Sequence, residues 1–511
     1  MNTTSSRKGL SKSRYTLFRQ CAKALWLNAY KPEEAVIDPS LQARFEAGNE
    51  VGDLAMGYLG PFTEVTSFDE NGRLNLKEMI RKTRECIDAG VENIAEASFS
   101  WEGNYCAVDI LHRQDGGHAI YEVKSSSGTP SQSETDEEYV KYARDIAYQK
   151  YVLEKCGVKV TGTYLIRINK DYVRGDELDI HSFLYHVDLR ELVNQESLVI
   201  DENIGKARET LACESEPEIP IGIHCQDPYG CAFWQYCTRE VPHPSVFNLY
   251  RMPFGDKIGL FNQGKVTFEQ LRGENLSDRQ HTQVECTLTG ARHINPDGIK
   301  AWLDTLSYPL YFLDFETMQS VVPQYPGTRP YQQVTFQYSL HYIETEGGEL
   351  MHKEFLGISG EDPRRALAEQ LCADIPTDVC TMAYNKSFEC GRIRELAEAF
   401  PDLAEHLLNI ESHIVDLIDP FRAGHCYLPA MDGSFSIKKV LPALFPDDPE
   451  LDYHNLSGGV QNGGDAMTIF PRIKDMTPEE QPKARRALLD YCCLDTYAMV
   501  KVWGKLIELT K

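Results

Sequence analysis

The stretch "YCAVDILHRQDGGHAIYEVKSSSG", residues 105–128, decides how the first half of the chain folds. Two runs rich in β-branched and aromatic residues flank "QDGG", a turn composition that predicts a β-hairpin. Asp109 falls on the first strand, and Glu122 and Lys124 on the second. Side chains two apart on a strand share a face, so Glu122 and Lys124 point the same way and Asp109 lies nearby. Two carboxylates and one ammonium in that arrangement can hold a divalent cation and position or activate a hydrolytic water. A cross-strand ion pair on a solvent face is the competing reading.

Outward from the hairpin, "SGTPSQSETDEE" reads as a polar loop, and "YVKYARDIAYQKYVLEKCG" as a helix stopped by Gly157. "VKVTGTYLIRI" reads as a further strand. Upstream, Phe18, Cys21, Ala22 and Leu25 fall at helical spacing, predicting one helix over 13–27 with Ser11 or Ser13 as N-cap. Residues 1–240 therefore read as one α/β domain, and 241–304 as a linker with a small helical element.

From residue 305 the pattern renews. "PLYFLDFETM", "QVTFQYSLHYIE" and "ELMHKEFLGI" read as three strands. "DPRRALAEQLCADI" and "SFECGRIRELAEAF" read as helices, with "VCTMAYN" and "HIVDLIDPF" as strands, and a long helix closes the chain. Residues 305–511 are thus expected to form a mixed sheet covered by helices. Asp314 and Glu316 share one strand face, Glu389 opens a helix after a strand end, and Tyr491 and Asp495 are i and i+4 on the last helix. Hard oxygen donors from separated elements suit Mg²⁺ or Mn²⁺.

The order D-x-E, then N-x-x-F-(D/E), then Y-x-x-x-D resembles the DEDD superfamily of 3′→5′ exonucleases, which has an RNase H-like fold. The resemblance implies that Asp314, Glu316, Glu389 and Asp495 are metal ligands and that Tyr491 orients the attacking water. Glu389 stands where the superfamily usually has aspartate. Residues 109–124 resemble the PD-(D/E)xK nucleases, more narrowly the RecB-like branch, which have a restriction-endonuclease-like fold. That branch implies a glutamine on the following helix, met by Gln149. It also implies an upstream G-x-x-x-H element, for which "FEAGNEVGDLA" offers Gly48 but Gly52 in place of the histidine. Glu50 is the expected substitute ligand, with Asp53 as the alternative.

A subset of RecB-like nucleases carries an iron–sulfur cluster, with one cysteine before the nuclease core and three after it. Cys21 precedes the core here, and Cys225, Cys231 and Cys237 follow in "HCQDPYGCAFWQYC" (224–237). Four thiolates suit a [4Fe–4S] cluster. The rivals are a zinc site completed by Cys213 or His224, and four packed thiols.

Fifteen cysteines in 511 residues do not resemble a secreted disulfide scaffold. No signal peptide or membrane span is legible, so a soluble, cytoplasmic protein is expected. A formal net charge of −25 argues against coating nucleic acid by bulk electrostatics. Charge is uneven, however: residues 1–32 carry Arg7, Lys8, Lys12, Arg14, Arg19, Lys23 and Lys31 and no acid. The resemblances together imply a two-nuclease protein acting on DNA, single-stranded or with free ends, with RNA open as a substrate. No Walker A motif is present, so unwinding would fall to a helicase or other effector partner. The other class of reading is a binding module in which one nuclease site, the N-terminal one first, has lost activity.

Overall fold

The computed structural model describes residues 9–37, 39–130 and 136–511. Arg7 and Lys8 of the basic arm lie outside the described residues. The chain divides into two units: Met1–Glu240 with Ser320–Tyr331, and Val241–Gln319 with Gln332–Lys511.

In the first unit, Ser11 caps helix α1 (Lys12–Gln20) by accepting from the Arg14 amide. The expected single helix is broken at Cys21, which is extended (φ −159°, ψ 119°) and begins α2 (Ala22–Tyr30). Both helices contribute to the main core, through Tyr15 and Phe18 of α1 and Leu25 and Ala29 of α2, while Ala24, Trp26 and Leu27 of α2, with Leu17 of α1, pack on Phe233 and Tyr236. Helix α3 (Pro39–Ala55) follows, burying Val51 and Ala55.

Strands β1 (Asn93–Trp101), β2 (Asn104–Gln114) and β3 (Gly117–Gly128) form an antiparallel meander. The expected hairpin is β2–β3. Asp115 (φ 49°) and Gly116 (φ 67°) both take left-handed geometry, as a two-residue type I′ turn requires. Helix α4 (Asp136–Lys155) crosses over to β4 (Val160–Asn169), which runs parallel to β3. The antiparallel β5 (Leu184–Asp188) closes that edge. Ile146, Ala147 and Leu153 of α4 pack on Val108, Ile120 and Leu165 of the sheet.

The second unit opens with residues 241–304, which are more than a connector. Helices Phe254–Asn262, Asp278–Thr289 and Pro296–Leu303 are present, and Val246, Leu249, Phe268 and Val284 share a small core. The sheet follows. Strands β6 (Leu310–Gln319), β7 (Gln333–Ile343) and β8 (Leu350–Leu356) are antiparallel. After helix α5 (Arg364–Asp374), β9 (Cys380–Ala383) lies parallel to β6. Helix α6 (Ser387–Ala399) then leads to β10 (Ile414–Asp416), parallel to β9. The strand expected over 413–421 is confined to β10, because a short helix with Pro420 in its first turn begins at Asp419.

Spatial order is β8-β7-β6-β9-β10. Leu313, Phe315, Tyr338 and Leu340 face α5 and α6 on one side. The opposite side, bearing Asp314 and Glu316, is covered by the final helix. Helices α7 (Ile437–Leu444), α8 (Gly463–Arg472) and α9 (Gln481–Glu508) complete the unit. Among the described residues, no helix is long and apolar enough to cross a membrane.

Candidate metal centres

In the second unit, β6 projects Asp314 and Glu316 from the face that α9 covers. The amide of Gln337 on β7 donates to the Leu488 carbonyl of α9 (2.8 Å), which fixes that contact. Donor atoms of Asp314, Glu316 and Cys492 lie within 4.8 Å of one another. Glu389 sits in the first turn of α6, 2 % exposed, and its Oε2 has no hydrogen-bond partner. Asp495 accepts from the Tyr453 hydroxyl at 2.5 Å, and Tyr491 is buried beside it.

The charges of this cluster are mutually unfavourable. Burial, then the carboxylates of Asp495, Glu316 and Glu389, raise Asp314 well above the usual carboxylate range. Burial and Asp495 do the same to Glu316. Burial pushes Glu389 up to about 8 and Asp495 up to about 6, the latter opposed by hydrogen bonds from Tyr453 and Tyr491. Like-charged carboxylates gathered in low dielectric are stable when a cation neutralises them. The set is mainly hard oxygen, and the orphaned Glu389 oxygen is a free donor, so these residues fit a divalent cation of the Mg²⁺ or Mn²⁺ class.

All five residues expected here are brought together. Three others escaped the sequence reading. Tyr453 comes from a short 3₁₀ turn and binds Asp495. Lys438 of α7 is 5.5 Å from the Tyr453 ring and 5.7 Å from the Tyr491 ring, and its charge favours ionised Glu316 and Asp495. Asp416 of β10 accepts from the Asn385 and Lys386 amides (2.8 and 3.1 Å), holding the turn that aims Glu389. Both Tyr453 and Lys438 lie in a stretch to which the sequence reading assigned no site residue. Beside them opens a cleft of about 590 Å³ lined by Lys438, Leu441, Tyr453, His454, Asn455 and Asn462.

In the first unit, Glu122 is the hub, 1 % exposed. It accepts from Lys12 Nζ (2.8 and 3.0 Å), Lys124 Nζ (2.7 Å) and Gln149 Nε2 (2.5 Å). Lys124 also donates to Asp145 (3.0 Å), and Asp109 accepts from the Val123 amide (2.6 Å). Burial opposes ionisation of Glu122, but the ammonium groups of Lys12 and Lys124 outweigh it and hold the carboxyl at about 2. Asp109 goes the other way: burial and the Glu122 charge raise it to about 6.

Asp109, Glu122, Lys124 and Gln149 therefore meet as expected. Glu50 does not join them. It is exposed on α3, and none of the hydrogen bonds or leading charge interactions of Asp109, Glu122 and Lys124 involves it. The third acid facing Asp109 is Glu96, which burial and Asp109 raise to about 7. Glu96 sits opposite Asp109, between the pairs Ala95–Ile110 and Ala97–Val108, and takes a left-handed φ of 59° there. Among the described residues Asp109, Glu122 and Glu96 do not form a group with donor atoms all within 4.8 Å of one another, and the Lys12 ammonium holds both oxygens of Glu122.

Cys21, Cys225, Cys231 and Cys237 line one small cavity with Ile219, Pro220, His224 and Phe233. Burial and the neighbouring sulfurs raise the Cys231 thiol to about 11. Gln20 Nε2 donates to the carbonyls of His224 and Tyr229 (2.8 and 2.7 Å), drawing the two segments together. Lys23 and Tyr236 meet on Glu216 (2.8 and 2.6 Å) beside the cavity. Cys213 is exposed and does not line this cavity, whereas His224 does.

Comparison with known proteins matches residues 311–436 to a family described as Domain of unknown function (DUF2779). That span holds Asp314, Glu316 and Glu389. Among curated proteins, Uncharacterized protein UU173 of Ureaplasma parvum serovar 3 is 29% identical over 219 residues, covering 38% of this chain and 31% of that protein. Uncharacterized protein MG366 homolog of Mycoplasma pneumoniae is 29% identical over 224 residues, covering 39% and 32%. The chain spans about a third of the length of these relatives.

Proposed function

We propose that the chain is a metal-dependent nuclease whose second unit is a 3′→5′ exonuclease of the DEDD type. The observation that carries this is that Asp314 and Glu316 of β6 share one close donor group, that Asp495 of α9 and Glu389 of α6 bear their charge on Asp314, and that the buried Glu389 Oε2 has no hydrogen-bond partner. Three antiparallel strands followed by two parallel ones, in the spatial order β8-β7-β6-β9-β10, suit an RNase H-like sheet.

A pair of divalent cations, when bound, supplies the positive charge that phosphodiester hydrolysis needs at the attacking and leaving oxygens. Tyr491, one helical turn from Asp495, orients the attacking water. Tyr453 fixes the Asp495 carboxylate in one rotamer, and Lys438 places a positive charge where a phosphate of the substrate enters. The adjoining cleft takes the strand end.

The first unit is the RecB-like nuclease of the PD-(D/E)xK class in this reading, with Asp109, Glu122 and Lys124 as its working residues and Gln149 as their support. The four sulfurs hold a [4Fe–4S] cluster. Two donor groups lie within 4.8 Å among the described residues, and neither contains these cysteines. Sulfurs that share a cavity at wider spacing suit a multinuclear cluster better than one zinc ion. All fifteen cysteines are unpaired, consistent with a reducing, cytoplasmic setting. The partner is DNA with a free 3′ end.

The reading in which the first unit binds without cutting has one observation of its own: the Lys12 ammonium spans both oxygens of Glu122, where a cation would sit. One assay tests both readings: single-stranded DNA labelled at either end, with Mn²⁺, comparing wild type, Asp314→Ala and Glu122→Ala. The exonuclease reading expects shortening from the 3′ end that Asp314→Ala abolishes. Intact label on both DNA and RNA for the wild-type protein overturns it. Cleavage indifferent to Glu122→Ala leaves the first unit as a binder.

A further inference from the structure

A second set of metal donors lies on the same sheet face as the acid cluster and takes no part in it. His341 of β7 and His352 of β8 are directly opposite one another in the antiparallel register, with ring centroids 4.5 Å apart. Cys493 of α9 faces the pair, and one donor atom from each of the three lies within 4.8 Å of the others. His341 is buried, Cys493 half-buried, and His352 at the open side.

The neighbourhood is organised around these rings. Thr496 Oγ1 lies 2.8 Å from His341 Nδ1, Ser339 Oγ lies 2.9 Å from His352 Nε2, and the two hydroxyls are 2.7 Å apart. Each imidazole is thus held through one nitrogen by a shared hydroxyl pair, leaving its other nitrogen without that constraint. That is the outer support metal-ligating histidines ordinarily have. Glu354, paired opposite Ser339 and on the His352 side of β8, bears its charge on both His352 and Cys493.

We infer that His341, His352 and Cys493 form a site for a borderline transition-metal ion of the zinc class, separate from the acid cluster. Two imidazoles and a thiolate are a zinc donor set, not a magnesium one. A tetrahedral zinc holds such donors about 3.3–3.6 Å apart, so a grouping within 4.8 Å needs a closure of at most about 1.5 Å. Charge balances simply, since the Cys493 thiol releases its proton to solvent as the metal binds.

The placement gives the site a role. Along α9, Tyr491, Cys492 and Asp495 serve the acid cluster, while Cys493 and Thr496 serve the histidines. A metal bridging β7, β8 and Cys493 pins the rotation of α9 about its axis, and so fixes where Tyr491 and Asp495 point. This inference does not rest on the nuclease reading, because its readout is metal binding.

The test is cobalt substitution of the full-length, chelator-treated protein, read as the sulfur-to-cobalt charge-transfer band in the difference spectrum between wild type and Cys493→Ser. The four cysteines of the first unit cancel in that difference. The band is expected to survive Cys492→Ser and to disappear with His352→Gln, an exposed position that leaves folding intact. Thr496→Val is expected to weaken zinc binding about 10–100-fold by freeing the His341 ring. Absence of the band, or its loss with Cys492→Ser while it survives His352→Gln, overturns the site.

Discussion

At the residue scale, the hydroxyl of Tyr453 and the ammonium of Lys12 carry the most specific consequences. A hydrogen bond to a charged partner contributes about 1.5–3 kcal/mol. Tyr453→Phe is therefore expected to lower the turnover of 3′-end cleavage about 10–100-fold with little change in KM, since the Asp495 carboxylate loses the bond that orients it. Steady-state kinetics on a labelled oligonucleotide checks this; a change in KM alone would place Tyr453 in substrate binding instead. Lys12 acts in the opposite sense. Its ammonium occupies both oxygens of Glu122, so Lys12→Gln is expected to tighten Mn²⁺ binding in the first unit by about tenfold, read by calorimetry in an Asp314→Ala background. Unchanged affinity would mean that the cation does not engage Glu122.

At the scale of elements, the β2–β3 turn offers a clean test of backbone geometry. A Cβ at Gly116 meets nothing within 4 Å, so only its φ of 67° resists substitution. Gly116→Val is expected to cost about 1–2 kcal/mol in urea unfolding of the first unit, without loss of any side-chain contact. This hairpin was legible because turn chemistry is local: "QDGG" between alternating strands leaves few alternatives. Most strands and helices of 305–511 were legible for the same reason, α7, α8 and the early end of the strand expected over 413–421 excepted, with Asp314, Glu316, Glu389, Tyr491 and Asp495 at positions their own segments dictate. Strand β1 was not, because its Glu96 gains meaning only through pairing with β2, which sets it opposite Asp109. The break at Cys21 was equally hidden. Phe18, Ala22 and Leu25 keep helical spacing across it, and residues from both sides of the break enter the same hydrophobic clusters, so the apolar pattern carries no sign of the bend. Glu50 was misplaced because a spacing rule carried it over where the sheet supplied a different acid.

At the scale of the whole molecule, cysteine and chain connectivity matter more than bulk charge. The four sulfurs line one cavity, and the proposed cluster, held by all four, would close a loop of about 200 residues and remove much unfolded-state freedom. Cys231→Ser is expected to lose the iron of anaerobically purified protein and lower the melting temperature of the first unit by several degrees. Full iron content in that variant would move the ligand elsewhere. Connectivity has a subtler effect. Residues 320–331, emitted between β6 and β7, are built into the first unit: Arg174 exchanges backbone hydrogen bonds with Gly327 and Thr328 (2.8 and 3.0 Å), and the Tyr331 hydroxyl donates to the Ser125 carbonyl (2.6 Å). A ribosome that has released residue 240 has therefore not yet delivered all of that unit. Its last piece, with the Val321 side chain that fills its core, emerges only after β6 has already been made. The two units cannot mature strictly one after the other, and a gene cut at the apparent boundary would yield an N-terminal fragment lacking part of its own interior.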